Sequence, residues 1–597
     1  MNALGVEAQI EKVAEMPVEE LSSPMRTGWD ELRFVIMLAR PIMAMTGGST
    51  HLKERSATGF SSRPGALVAG IAMLALLFGC DPGGTAQAPS VSPPGTPSVT
   101  IRLDRSAAYH VISPLLLGEG MEWINCGNGI WDCQNNTGSR PGTIGLLQEL
   151  NLGVLRYPGG TLSDFFHWQG AVGPYPNRQP QINPFATTNA NNVATEMPLY
   201  GPDEFATVAG TLGTPMLITA NGGSGTADEA AAWLAHYKSA GVSARYWEVG
   251  NELYIGGTDY GAATVQKTPE QYAAIFDSFA SALRAVDSNV QVGALGCHDT
   301  GGFPLCSAPD WNRRVLSGVQ QKVDFLAIHN SYAPAIGPTQ AMDEDTMFRA
   351  LLASPEYIRS NMQLQVSDVK NYAKAASQGL FLAITEHAAL FVPGPPYSAD
   401  NPQLVRDQSL GSALFSALSF NVFFSNPSVG MAVHINPNSP VWQAAVQTDV
   451  DGFSHPVRTA YFYVVLLYSA AAGGQFIPVS VQGAPTYSST SLGIIPALAG
   501  IPVLDAIAVL RPDNGATFLY VVNRDLNNAV SANVSFTGFS SGGPVSLKVD
   551  TLNGANYLAR NTAAAPDAVS ITSASVLPQA QIQHTFPPHS LTRFTVE

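Results

Sequence analysis

The chain is 597 residues long, with 45% hydrophobic residues, 13% charged residues and a formal net charge of −15. The length exceeds one ordinary domain, and the small charged fraction leaves ample material for large buried cores. The negative balance argues against nucleic acid, acidic membrane surfaces and polyanionic glycans as partners, and favours a neutral substrate.

Residues 1–80 read as an N-terminal extension and an export signal, not as a fold. Lys53, Arg55 and Arg63 precede an apolar run, Ala66 to Phe78, that is short for a membrane-spanning helix. The run stops at Leu77-Phe78-Gly79-Cys80, an ending that resembles a bacterial lipoprotein signal. On that reading translation starts at Met43 or Met45, Cys80 carries the lipid, and the protein faces the periplasm or the cell surface with the lipid as its only membrane contact. Residues 81–98 are rich in Pro, Gly, Ser, Thr and Ala and read as a flexible tether. The other cysteines form two close pairs, Cys126 with Cys133 and Cys297 with Cys306. Neither spacing is that of a zinc site, and in an oxidising setting each pair is a candidate disulfide.

Val99–Leu103 alternates as a strand and is expected, within a segment 99–113, to join a β-sheet domain near the C-terminus. Across residues 114–472 short apolar runs alternate with helical patterns, which predicts parallel strands joined by crossover helices. The predicted strands are Leu115–Glu122, Val154–Tyr157, Pro215–Asn221, Tyr246–Glu252, Val290–Leu295, Val323–His329, Phe381–Glu386 and Met431–Ile435. Eight closes a (β/α)8 TIM barrel, so the fold class is α/β. Capping boxes at Thr226 to Glu229 and at Thr268 to Gln271, the second with Pro269 at the first helical position, start two of the helices. Tyr272, Ile275, Phe276, Phe279 and Leu283 recur at helical spacing after the second cap, as do Tyr461, Val464, Val465 and Tyr468 in the last barrel helix, and both sets read as core. Residues 473–597 change to short strands and turns, with a hairpin at Pro512–Gly515, and predict an all-β sandwich.

Active sites of such barrels lie at the C-terminal ends of the strands, so polar residues that end apolar runs become candidates. Trp247 to Glu252 and Phe381 to Glu386 both stop on a glutamate, at the fourth and seventh strands. Two carboxyls presented in this way suit cleavage of a glycosidic bond, one as proton donor and one as attacking group.

Tyr246-Trp-Glu-Val-Gly-Asn-Glu252 with a strand-seven glutamate is similar to the clan A glycoside hydrolases. Leu155-Arg-Tyr-Pro-Gly-Gly160, His167-Trp168, Val172-Gly-Pro174, Gly201-Pro-Asp-Glu-Phe205 and Gly118-Glu-Gly-Met-Glu122 resemble the family 51 α-L-arabinofuranosidases within that clan. The resemblance runs from about residue 99 to the end. It implies Glu252 as acid/base and Glu386 as nucleophile of a retaining, exo-acting enzyme on plant or microbial polysaccharide side chains. It further implies that Asn251 binds the sugar 2-hydroxyl, that Glu122 binds sugar hydroxyls with Glu119 as its competitor, and that Arg156 keeps the nucleophile ionised. His329 is a candidate for a hydrogen bond to substrate or acid/base. Tyr332, one residue later than in the family pattern His-x-Tyr, is the candidate partner of the nucleophile. Thr161 and His387 also depart from the family, and Gly159-Gly160-Thr161 with Asp164 resembles the β-glucuronidase and heparanase-like enzymes. The alternatives are therefore an enzyme of that type or a non-catalytic glycan-binding surface lipoprotein. Trp123, Trp131, Trp168 and Trp311 are equally suited to sugar stacking and to core packing. No metal or organic cofactor is implied.

Overall fold

The computed structural model describes residues 99–186, 193–255, 265–298, 306–336, 342–391, 401–539 and 543–597. Cys80, the signal and the tether lie outside the described residues.

Eight parallel strands close a barrel: Gly118–Gly120, Leu155–Tyr157, Met216–Ala220, Tyr246–Val249, Gln291–Leu295, Phe325–Ile328, Phe381–Phe391 and Val429–His434, the last pairing with the first. Every residue of Met216–Ala220 and Phe325–Ile328 is buried, as expected of strands enclosed by helices on one face and packed side chains on the other. The helices Ala227–Ser239 and Pro269–Val286 start at the two expected caps, with Thr226 accepting from the Glu229 N–H and Thr268 from the Gln271 N–H; Gln271 completes its capping box, whereas the Glu229 carboxylate faces His167 instead.

Three strands differ from expectation by three or more residues at one end, each for a local reason. The first strand is shorter because Ser113 caps a turn of 3-10 helix at Pro114–Leu116. The fourth strand ends at Val249, where Gly250 (φ 76°) and Glu252 (φ 44°) turn the chain, so Asn251 and Glu252 stand just beyond it. The seventh runs on to Phe391 because an extra strand, Ser331–Ile336, pairs alongside it in parallel. Within the seventh strand, Ile384 lies opposite Ala432 and His387 opposite His434. Three steps against two is a β-bulge. It directs both Thr385 and Glu386 toward the barrel interior, where they bond Glu248 and Arg156, while His387 packs outward against Phe420 and Phe423.

The C-terminal domain is a sandwich of a four-stranded and a six-stranded sheet. Val99–Asp104 belongs to the smaller sheet, between Val479–Gln482 and Val530–Thr537. Helix Leu410–Ser425 is apolar on all sides, and its residues from Leu410 to Phe424 are buried. It packs the barrel against the sandwich, with Asn421 donating to Asp505 and accepting from Tyr468. Disulfides join Cys126 to Cys133 and Cys297 to Cys306 in the loops after the first and fifth barrel strands. All four tryptophans considered for sugar stacking are buried; Trp123 packs on Phe166, Trp168 on Trp233 and Trp311 on Tyr272.

Candidate active site

Arg156 organises the C-terminal mouth of the barrel from the second strand. Its Nε donates to Glu248 Oε2 at 2.8 Å, Nη1 to Glu386 Oε1 at 2.5 Å and Nη2 to Asn251 Oδ1 at 2.8 Å. One buried guanidinium thus fixes residues from the fourth and seventh strands in a single plane, which a point-charge lysine cannot do.

Glu386 receives a second donor, the Tyr332 hydroxyl, at Oε2. Burial alone would push its carboxyl up; the charges of His329 and Arg156, with the Tyr332 and Arg156 hydrogen bonds, outweigh that and hold it below the usual range. Burial and the Glu386 charge raise the Tyr332 phenol well above its ordinary value, so it stays a donor. The extra residue before Tyr332 is absorbed because Ser331 begins the added strand, which sets Tyr332 opposite Ala388.

Glu252 faces His329, whose Nδ1 lies 2.8 Å from Glu252 Oε1 and 3.8 Å from Glu386 Oε2. Burial lowers the affinity of this imidazole for a proton, but Glu386 and Glu252 more than compensate, and its pKa is raised. Glu252, His329 and Glu386 bring donor atoms within 4.8 Å of one another, so the two carboxyls are close neighbours across the pocket. The same spacing suits a cation. Here Glu386 already faces the protein donors Arg156 and Tyr332, and Glu252 already faces the His329 imidazole.

Glu122 and Glu119 separate clearly. Glu119 is fully buried against His434, away from the pocket, whereas Glu122 is half-buried and close enough to feel the Glu386 charge. Burial, then Glu386, pushes Glu122 up to about 7, while Asn128 holds its backbone N–H and side chain. The Asn251 N–H donates to buried Asp164 at 3.2 Å, which fixes the turn that carries Glu252. His387 does not enter the site, and neither ring nitrogen has a hydrogen-bond partner among the described residues.

Sequence reasoning missed Glu248, Thr219, Thr385 and Asn128. Glu248 and Thr385 sit inside the two strand-end motifs, and a charged residue within an otherwise apolar strand is the signal that marks Glu248. Gly160 was quoted only as part of a motif. A Cβ there would lie 2.6 Å from Glu386 Oε1. Arg156 and Tyr332 leave that oxygen pair little room to retreat, so Gly160→Ala should lower kcat by about 100-fold through misplacement of the carboxylate. Thermal unfolding should change little, because only a side-chain end is displaced; parallel kinetics and melting curves check this.

Residues 385–590 match the family model for the α-L-arabinofuranosidase C-terminal domain. A Streptomyces lividans protein named intracellular exo-α-(1→5)-L-arabinofuranosidase is 24% identical over 78% of this chain and 70% of its own length. A Bacteroides ovatus protein named intracellular exo-α-L-arabinofuranosidase is also 24% identical, over 66% of this chain and 77% of its own. The crystal structure of a family 51 arabinofuranosidase from Xanthomonas axonopodis pv. citri superposes with a TM-score of 0.69 at 21% identity, covering 84% of this chain and all of that one. These relatives overturn the expected envelope location: they are named intracellular, which points away from an exported, lipid-anchored protein. The reading as a non-catalytic glycan binder falls with the same matches. With its closed barrel and matching sandwich, the chain is a glycoside hydrolase similar to the family 51 α-L-arabinofuranosidases.

Proposed function

We propose that the protein is a retaining, exo-acting α-L-arabinofuranosidase that removes terminal arabinofuranose from polysaccharide or oligosaccharide side chains. The observation that carries this reading is the close approach of Glu252 and Glu386, which each bring a carboxylate oxygen within 4.8 Å of the other and of a His329 ring nitrogen. Retaining pairs stand about 5–5.5 Å apart, whereas inverting pairs need about 6.5–9.5 Å to admit water between them.

The asymmetry of the pair supports the roles. Glu386, held ionised by Arg156 and Tyr332, attacks the anomeric carbon as Glu252 protonates the leaving oxygen. Water then enters, Glu252 takes its proton, and the glycosyl–Glu386 ester is released as sugar. Asn251, its oxygen engaged by Arg156, turns its amide nitrogen toward the 2-hydroxyl. Glu122, half-buried beside Glu386, accepts sugar hydroxyls and is protonated or ionised according to what it meets. Names of the relatives support the exo mode and the sugar. Arg156 engages all three of its nitrogens within the protein, which does not favour a uronic acid substrate.

A panel of aryl glycosides tests the reading: turnover of the α-L-arabinofuranoside above all other sugars supports it, and preference for a glucuronide overturns it. Glu252→Ala should lose about 10²–10⁴-fold on substrates with poor leaving groups and far less on activated aryl ones. Azide should then restore the second step and yield a glycosyl azide of retained configuration. Inverted product would sink the retaining assignment.

A further inference from the structure

Behind the two glutamates runs a buried polar chain that the steps above do not use. Glu248, fully buried, takes Arg156 Nε at 2.8 Å and Thr219 Oγ1 at 3.1 Å on Oε2, and Thr385 Oγ1 at 2.7 Å on Oε1. A carboxylate ion-paired in this way only accepts. Thr385 has a single hydroxyl proton, and Glu248 receives it. Thr385 Oγ1 therefore meets His329 Nε2, 2.9 Å away, with a lone pair, so Nε2 must carry hydrogen. Neutral His329 is left with its lone pair on Nδ1, 2.8 Å from Glu252 Oε1.

Building on the retaining reading, we propose that Glu248 and Thr385 are positioning residues that hold His329 in its Nε2–H form, so that Nδ1 and Glu252 share the one proton used in catalysis. Once that proton is lost, a carboxylate faces a nitrogen lone pair with no donor between them. The loss is therefore deferred to higher pH, and the pair keeps its shared proton over a wider range. The balance closes over the cycle: Glu252 gives the proton to the leaving oxygen and regains one from water, and His329 ends as it began. The other charged or titratable groups facing the imidazole are Glu386 Oε2 at 3.8 Å, Arg156, and Tyr332 at 6.4 Å between rings. None of them bonds Nε2, so the tautomer rests on Thr385.

Thr385→Val keeps the shape and removes the hydroxyl. His329 can then move its hydrogen to Nδ1 and donate it to ionised Glu252, which stabilises the deprotonated pair. The basic limb of the kcat/KM profile on the aryl α-L-arabinofuranoside should move to lower pH by about one unit, and Thr385→Ser should return it. Two-bond ¹⁵N–¹H spectra of the full-length, histidine-labelled protein above the basic limb should show Nε2–H at His329 in the parent and Nδ1–H in Thr385→Val, with the signal assigned by its loss in His329→Gln. An unmoved limb in folded Thr385→Val, or an Nδ1–H parent spectrum, overturns the proposal. The spectra need no turnover, so they decide the tautomer even if the arabinofuranosidase reading fails on the glycoside panel.

Discussion

Glu386→Ala should lose at least about 10⁴-fold in kcat/KM on the aryl α-L-arabinofuranoside, because no other described carboxylate can take the place of the attacking oxygen. Glu252, the proposed acid/base, is engaged by His329. Glu122 is pushed up to about 7 and is held through Asn128, so it is a weaker nucleophile and a misplaced one. Folding should survive the change, since Arg156 keeps its bonds to Glu248 and Asn251. Progress curves, a circular dichroism melt and mass spectrometry for a glycosyl-protein adduct provide the check. Residual activity within tenfold of the parent would remove Glu386 from the nucleophile role.

Arg156→Met carries the second large effect, on stability as well as rate. The substitution leaves buried Glu248 without its cation and Glu386 without its guanidinium donor. Breaking a buried pair from one side costs about 3–5 kcal/mol, so the unfolding midpoint should fall markedly. For the fraction that folds, the sign of the pH effect follows from the forces on Glu386. Burial raises its carboxyl, and Arg156 is among the groups that lower it, so loss of the guanidinium moves the pKa up. The nucleophile must be ionised, and activity is lost as pH falls through that pKa. The acid limb should therefore shift to higher pH. Arg156→Lys keeps the charge but cannot reach Glu248, Glu386 and Asn251 together, so it should fall between parent and methionine variant in both measurements. A methionine variant with an unchanged acid limb would exclude Arg156 from control of the nucleophile.

The barrel was legible because parallel strands buried on both faces leave continuous apolar runs, and runs such as Pro215–Asn221 and Val323–His329 each coincide with an observed strand. The two glutamates were legible for the complementary reason: each interrupts such a run. The rest depended on contacts that distance in sequence hides. Arg156 meets Glu386 across 230 positions and Thr385 meets Glu248 across 137. Tyr332 appeared displaced because the spacing rule assumed no strand after His329, whereas Ser331–Ile336 restores its place. The N-terminal reading failed differently. A charged, apolar, cysteine-ended segment fits an export signal by composition, yet the relatives are named intracellular.

The slip between Ile384 and His387 places neighbouring residues of one strand in two different halves of the catalytic cycle. Regular alternation would send Thr385 and Glu386 to opposite faces, and only one of them could serve the pocket. With the extra residue, the proposed nucleophile and the residue proposed to set the tautomer beside the opposing acid share a peptide bond. A one-residue deletion in this stretch, even one that kept Glu386, would uncouple bond-breaking from proton supply. This short segment is therefore where the enzyme should tolerate the least change in length.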